Sequence, residues 1–362
     1  MEKKIRKSNF ELLRIIGMML IIVHHYVLHS GINPNTYTLF STKSIFIQFI
    51  GSFGKLGVTI FVLISAYFLI ESKIQYKKLV PLVIKFTVFS ILITFAIITF
   101  TEEKITTFQI IKSFFPILWG NWFIVNYILL YLFLPFINKI LKSIDINTYK
   151  KLLTVIMILW SIIPTLTNYA WYSFGGFDYF IFIYITGSYI RLHYKNNNIN
   201  YLRKFFNVIF IMFLLIFLTS LLGFIIKSDT LFRYYTNFYS LNSFLPILGA
   251  IYIFLHFKNI DINSNIINNL SSSTLAVYLI HDNDFFRNVL WNVIFPNADY
   301  VNNNLFIPHL FLKVILTFFI CVVIDKVYVY TVESFLINIG NVMFDKVTAL
   351  IRFFLNKVLN EN

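Results

Sequence analysis

The sequence predicts an all-α integral membrane protein that crosses the bilayer about ten times. Of its 362 residues, 58% are hydrophobic and only 13% are charged, which is about half the charged fraction of a typical soluble domain. Apolar runs long enough to span a bilayer recur along the whole chain, and helices satisfy their own backbone hydrogen bonds in lipid. These observations exclude an ordinary soluble enzyme.

Ten apolar segments are candidate spans. They cover residues 9–29, 45–70, 79–100, 121–140, 150–168, 174–193, 204–226, 238–257, 270–295 and 308–330. With the N-terminus placed in the cytoplasm, twenty Lys and Arg residues fall on cytoplasmic segments and five on outside segments. Because cytoplasmic loops are enriched in Lys and Arg, this bias predicts an even number of spans and two cytoplasmic termini.

The segments outside the spans predict no soluble domain. Residues 1–334 form the predicted transmembrane domain, and residues 335–362 form a predicted cytoplasmic amphipathic tail. Ser8 and Glu11 have the spacing of a capping box, which favours a retained first helix over a cleaved signal peptide. The net charge of +14 lies in loop clusters, so we expect the lipid bilayer as a partner and no nucleic acid. Cys321 is the only cysteine, which excludes an internal disulfide.

The first span contains three ionisable side chains. Arg14 and His25 are eleven residues apart, which on a helix places them within about 20° of one face and about 16 Å apart along the axis. His24 is rotated by about 80° from Arg14. Ionisable groups inside a membrane are costly and commonly face a functional cavity. The alternative is that Arg14 reaches the cytoplasmic surface while both histidines lie at the outer interface.

The second span is rich in small residues. Three glycines recur at every third position, namely Gly51, Gly54 and Gly57. They permit another helix to approach closely, and Ser65 can hydrogen-bond to its own helix. Lys55 lies among these glycines, and tight packing does not explain it.

Two further groups of charges stand out. A lysine cluster follows the second span, at Lys73, Lys77 and Lys78. Such a cluster can bind phosphates, although the lysine enrichment of cytoplasmic loops predicts it as well. The ninth span contains a polar group, at His281, Asp282, Asp284 and Arg287. Asp284 and Arg287 can pair on a helix. One interpretation of the group is a polar stripe that faces a cavity. The other is a structural network near the outer surface whose charges neutralise one another.

The outside loops are rich in aromatic and amide side chains, as in "NYAWYSFGGFDYF" and "NADYVNNN". Aromatic rings stack on sugars, and Asn and Asp bind hydroxyl groups. The aromatic belt of membrane proteins also predicts part of this enrichment.

Five segments carry the most specific pattern in the chain: "FELLRIIGMMLIIVHHY", "GKLGVTIFVLISAYFL", "NWFIVNYILLYLFLPF", "GGFDYFIFIYITGSYIR" and "LAVYLIH". In this order, and over nearly the whole chain, they resemble the acyltransferase-3 family of membrane O-acyltransferases. Two departures from the family pattern limit what can be carried over. Asn126 and Tyr127 occupy the area where many members have a glutamate, and Gln75 and Lys78 replace an Arg-x-x-Arg pair.

The resemblance implies a catalytic site and two substrates. His25 would be the catalytic base and Arg14 an essential partner, with His24 the other candidate base and His281 or Lys55 a candidate for stabilising the oxyanion. Acetyl-CoA would be the acyl donor, bound by Lys73, Lys77, Lys78, Arg14 and Lys55. The acceptor would be a hydroxyl of a cell-surface polysaccharide or of its lipid-linked precursor, bound by Trp122, Asn126, Asp178, Asp282, Asp284 and Arg287.

The stand-alone members that this chain resembles most are found with surface or capsular polysaccharide genes, which implies a bacterial cytoplasmic membrane. No metal site is apparent from the sequence. The oligomeric state stays open, with a homodimer as one alternative. A polysaccharide or lipid-linked oligosaccharide transporter or polymerase is the alternative function, and a non-catalytic sensor or scaffold is a third.

Overall fold

The computed structural model describes residues 7–32, 34–102, 104–167, 176–195 and 199–360, and these ranges contain helices but no strand. The principal helices are α1 (Ser8–His29), α2 (Thr42–Leu69), α3 (Tyr76–Phe100), α4 (Trp122–Ser143), α5 (Ile146–Thr167), α6 (Phe177–Leu192), α7 (Tyr201–Ile226), α8 (Phe244–Lys258), α9 (Thr274–His281), α10 (Phe306–Tyr328) and α11 (Ser334–Asn360). The predicted all-α class is therefore confirmed. Residues 168–175, which include part of one predicted outside loop, lie outside the described ranges.

Shorter helical segments connect these helices. They are Tyr37–Leu39, Thr107–Phe114, Pro116–Trp119, Asp229–Arg233, Tyr234–Phe238, Asn265–Ser271, Phe286–Asn288, Val289–Ile294 and Asn297–Tyr300. One contact ties the segment after α1 to the segment after α7, because the main-chain N–H of Tyr37 donates a hydrogen bond to Asp229 over 3.0 Å. That bond lowers the pKa of the Asp229 carboxyl group.

The number of long apolar helices differs from the predicted ten. In the described part of the chain, seven stretches are long and apolar enough to cross a membrane: α1 to α5, α7 and the run Phe306–Phe354. The predicted spans 174–193 and 238–257 correspond to α6 and α8, which have 16 and 15 residues. At 1.5 Å per residue these two helices are about 24 and 22 Å long, shorter than a bilayer core.

The predicted ninth span, 270–295, is not a continuous helix. Helix α9 ends at His281, and the side chain of Asn283 then accepts hydrogen bonds from the main-chain N–H groups of Phe285 and Phe286 (3.0 and 3.3 Å). Asparagine side chains favour turns because they accept hydrogen bonds from main-chain N–H groups two or three residues later. Asp282 therefore lies in a turn between two helical segments, not on a helical stripe.

The predicted capping box at the start of α1 is also wrong. Lys7 occupies the N-cap position and makes no side-chain cap. Ser8 instead accepts a hydrogen bond from the main-chain N–H of Ser264 (3.0 Å), and Glu11 binds Arg14 and Ser271. Both polar side chains tie α1 to the rest of the protein.

Close packing between α1 and α2 positions the polar residues of the first span. A Cβ atom added at Gly57 would lie 2.5 Å from the carbonyl oxygen of Gly17, so only glycine fits there. Ser65 donates to the carbonyl of Phe61 (2.9 Å), within its own helix as predicted. The glycines of α2 therefore serve the predicted close approach of a neighbouring helix.

Helices α10 and α11 form one helical run through the π-helical segment Val329–Glu333. Lys85 of α3 binds Asp325 (2.9 Å) and Glu333 (3.1 Å), and Lys77 binds Asp345 (2.7 Å). The two pairs of Lys85 join α3 to α10 and to the π-helical segment, and the pair of Lys77 joins the start of α3 to α11. The cytoplasmic location of this tail stays a prediction.

Candidate active site

Two histidines from distant parts of the chain meet at the centre of the helical bundle. Nδ1 of His25 in α1 lies 3.0 Å from Nε2 of His281, the last residue of α9. Nδ1 of His281 lies 2.6 Å from the carbonyl oxygen of Val277, one turn earlier in the same helix. Both imidazoles are buried, so their hydrogen bonds are not exchanged with bulk water.

These contacts define the tautomers of the two neutral rings. A carbonyl oxygen only accepts, so the proton of His281 is on Nδ1 and its Nε2 is an acceptor. Nδ1 of His25 then donates to that acceptor. The remaining nitrogen of His25, Nε2, is unprotonated and therefore available as a base.

Asp282 lies beside this pair, in the turn that ends α9. Its Oδ1 is 3.7 Å from Nδ1 of His25 and 3.5 Å from Nε2 of His29. Its Oδ2 accepts a hydrogen bond from Asn121 over 3.3 Å. Arg287 is farther from Asp282 (3.9 Å) than from Asp284 (3.2 Å). The predicted pairing of Asp284 with Arg287 is present, although the turn rather than a continuous helix brings them together.

The side chain of His24 packs against α2. Its Nδ1 is hydrogen-bonded to the carbonyl of Gly51, and its ring lies against Gly54, where an added Cβ atom would collide with it. Gly54 thus makes room for the His24 ring, and Gly51 supplies the carbonyl group to which the ring is hydrogen-bonded. Of the two adjacent histidines, His25 is the one in contact with His281 and Asp282.

An inner cavity of about 490 Å³ runs along one face of α1. Arg14, Met18 and Ile21 line it at helical spacing, and Lys78 and Tyr278 are also on its wall. The ring of Tyr278 has its centroid 6.5 Å from that of His25. The cavity therefore connects the level of Arg14 with the surroundings of His25.

Arg14 is held in place at this cavity. Its Nη1 is 2.7 Å from Oε1 of Glu11, and the hydroxyl of Ser271 donates to Oε2 of the same carboxylate over 2.6 Å. The Arg14 side chain keeps 30% of its surface exposed. Its guanidinium group is thus oriented by a buried carboxylate while it remains accessible.

A smaller pocket of about 140 Å³, here called the outer pocket, is lined in part by Asp282. Its polar wall includes Gln109, Lys112, Asn121, Asp282, Asn283 and Asp284. Trp119 contributes an aromatic surface to the same pocket. Carboxylate, amide and indole groups in one small pocket are the side chains that bind sugar hydroxyls and stack on sugar rings.

The other predicted site residues lie apart from these two cavities. Lys73 is exposed, and Lys77 is paired with Asp345. Lys55 lies 5.1 Å from the centre of the Trp122 ring. Lys55 is fourteen residues before Leu69, where α2 ends, which corresponds to about 21 Å of helix. It is therefore not beside the lysines that follow α2. Two more predicted acceptor contacts, Asn126 and Asp178, are buried near the start of α6.

Several residues of the site were not predicted from the sequence. His29 is four residues after His25 on α1 and reaches Asp282, a spacing that could have indicated it. Asn121, Ser271 and Tyr278 carry no such pattern, because their roles depend on contacts across the bundle.

The comparison with known families agrees with this architecture. A family model described as an acyltransferase domain, that of the acyltransferase-3 family, matches residues 7–326. The chain belongs to this family and is a multi-pass membrane acyltransferase. No curated protein and no solved structure matches it. Helix α11 lies beyond the matched residues.

Proposed function

We propose that this protein transfers an acetyl or another small acyl group from acetyl-CoA to a hydroxyl of a cell-surface polysaccharide or its lipid-linked precursor. The observation that carries the proposal is that His25 neighbours one wall residue of each cavity. Its ring is near Tyr278 of the inner cavity and near Asp282 of the outer pocket. A base in this position is suited to joining a substrate from each cavity.

The inner cavity is the proposed donor site. Coenzyme A has an anionic end and a long, thin arm that ends in the thioester. Arg14 and Lys78 supply positive charge on the cavity wall, and phosphates bind both side chains. The arm would follow Met18 and Ile21 along α1 and bring the acyl carbon toward His25. Of the predicted donor residues, this proposal keeps Arg14 and Lys78 and omits Lys73, Lys77 and Lys55.

The outer pocket is the proposed acceptor site. Asp284, Asn283 and Asn121 would bind the hydroxyls of one sugar, and Trp119 would pack against its ring. The pocket accommodates little more than a single sugar, so the rest of a polysaccharide or of a lipid-linked precursor would extend beyond it. Trp122, Asn126 and Asp178 are not required in this arrangement.

The chemistry follows from the tautomer of His25. Nε2 takes the proton of the acceptor hydroxyl as that oxygen attacks the thioester carbon. The new C–O bond forms, the C–S bond breaks, and the leaving thiolate takes the proton back from the imidazolium. Asp282 stabilises the transient positive charge on the ring. Both nitrogens of His281 are already engaged, so His281 positions His25 and has no N–H left for an oxyanion.

The experiment is acetyl-CoA turnover by purified protein in nanodiscs, for wild type, His25→Ala and His24→Ala. We expect slow thioester hydrolysis by wild type and none by His25→Ala, because the base is missing. His24→Ala is the matched control. Any loss of turnover in this variant should be proportional to its loss of folded protein. Binding and turnover absent from all folded forms would favour the transporter or polymerase alternative. Acetyl-CoA binding without turnover would favour a sensor.

A further inference from the structure

A group of potential metal ligands lies at the outer edge of the histidine pair. In the described part of the chain, one ligand atom each from His25, His29 and Asp282 lie within 4.8 Å of one another. Oδ1 of Asp282 faces Nδ1 of His25 and Nε2 of His29. The two histidines are one helical turn apart on α1, so their rings project from the same face. The proposed transfer reaction gives His29 no role.

The distances suit a small transition-metal ion. Zinc binds histidine nitrogens and carboxylate oxygens at about 2.0–2.2 Å in a tetrahedral arrangement, which places two ligand atoms about 3.3–3.5 Å apart. The carboxylate oxygen is 3.5 Å from His29 Nε2 and 3.7 Å from His25 Nδ1. The ligand atoms of the two histidines lie within 4.8 Å of each other, so a site with three protein ligands requires the side chains to rotate toward a common centre.

The surroundings favour such an ion more than they oppose it. Asn121 holds the second oxygen of Asp282, which leaves Oδ1 directed at the histidines. The guanidinium group of Arg287 is closer to Asp284 than to Asp282. An incoming metal ion would displace its 3.9 Å contact with Asp282 and the 3.0 Å hydrogen bond between His25 and His281.

We propose that Zn²⁺ or a similar divalent transition metal binds to His25, His29 and Asp282 and inhibits acyl transfer. The inhibitory part rests on the proposed function. A metal ion on Nδ1 of His25 requires that nitrogen to be unprotonated, so the neutral ring carries its proton on Nε2. The base is then lost, and the hydrogen bond to His281 is lost with it. Water would occupy the fourth position on the metal ion.

Metal binding is tested first, without reference to activity. The full-length protein is purified without a polyhistidine tag and titrated with Co²⁺, whose visible absorption distinguishes tetrahedral from octahedral coordination. The proteins compared are wild type, His29→Gln and the control His256→Gln. Each variant lacks one histidine, so the two variants carry the same total number of potential metal ligands. We expect a tetrahedral spectrum that Zn²⁺ abolishes, and an affinity at least about tenfold lower in His29→Gln only. Equal affinities in all three proteins would overturn the proposal.

Inhibition is tested second, as Zn²⁺ dose–response curves of acetyl-CoA turnover. The turnover of each protein is normalised to its own rate without metal, and His29→Gln should need at least about tenfold more Zn²⁺ than wild type for the same fractional inhibition. Turnover that Zn²⁺ leaves unchanged would overturn the proposal while the proposed function stands. His29-dependent Co²⁺ binding in a protein without turnover would support the metal site and count against the proposed function.

Discussion

The ring of His24 occupies the space that a side chain at Gly54 would need. The adjacent His25 instead contacts His281 and Asp282. The two neighbouring histidines therefore have different roles. His24 packs against α2 at Gly54, and His25 contacts the polar groups of the candidate site.

We predict that Gly54→Ala destabilises the protein by about 1–3 kcal/mol, the usual cost of overpacking a filled core. The added methyl group would push the His24 ring and separate α1 from α2. The measurement is the midpoint of thermal unfolding in detergent. Gly249→Ala is the control, because its nearest neighbour is the flexible end of Leu56 at 3.0 Å. An equal midpoint for both variants would contradict the importance of this contact.

Replacing His281 should lower kcat without weakening donor binding. His281→Leu removes the acceptor that holds the proton on Nδ1 of His25, so we expect kcat to fall on the order of 100-fold. His281→Gln keeps an acceptor and a donor and should recover part of that loss. The measurements are kcat and KM for acetyl-CoA, with KM within about twofold of wild type. A similar kcat for the Leu and Gln variants would show that His281 has only a packing role.

Lys78→Ala should raise KM for acetyl-CoA about tenfold, equivalent to about 1.4 kcal/mol, and change kcat little. The reason is that Lys78 lines the inner cavity, where it would bind the anionic end of the donor and not the thioester. Lys77→Ala is the matched control, since Lys77 is paired with Asp345 and does not line that cavity. If the two variants raise KM equally, the donor's anionic end binds elsewhere.

Lys85→Met should cost about 3–5 kcal/mol of stability, because it leaves the buried carboxylate of Asp325 without its cation. The double variant Lys85→Met/Asp325→Leu should recover a large part of that loss, since no unpaired charge remains. Unfolding by heat or denaturant measures both. A double variant less stable than Lys85→Met would indicate that the carboxylate has other partners of equal weight.

The part of the site that lies on one helix was accessible from the sequence. Arg14 and His25 are in one chain segment, and helical periodicity alone predicted that they share a face. In the structure the face that carries Arg14 lines the inner cavity as far as Ile21. His29 is one turn beyond His25 on the same helix, so helical periodicity places it on the same face as well.

The rest of the site depends on contacts that no local pattern contains. His25 and His281 are 256 positions apart, and their meeting follows from the packing of α1 against α9. The break after His281 was missed because residues 270–295 are apolar enough to suggest one helix. Ser8 and Glu11 have the spacing of a capping box. In the structure Ser8 is instead hydrogen-bonded to Ser264, and Glu11 to Ser271.

The early end of α9 has an electrostatic consequence for the site. The carbonyl groups at the C-terminus of a helix together carry about half an elementary negative charge. Helix α9 ends at His281 and α1 ends at His29, so two such ends converge on His25. The main chain itself would therefore favour a protonated ring during transfer, and part of this stabilisation would persist in any variant that alters side chains alone.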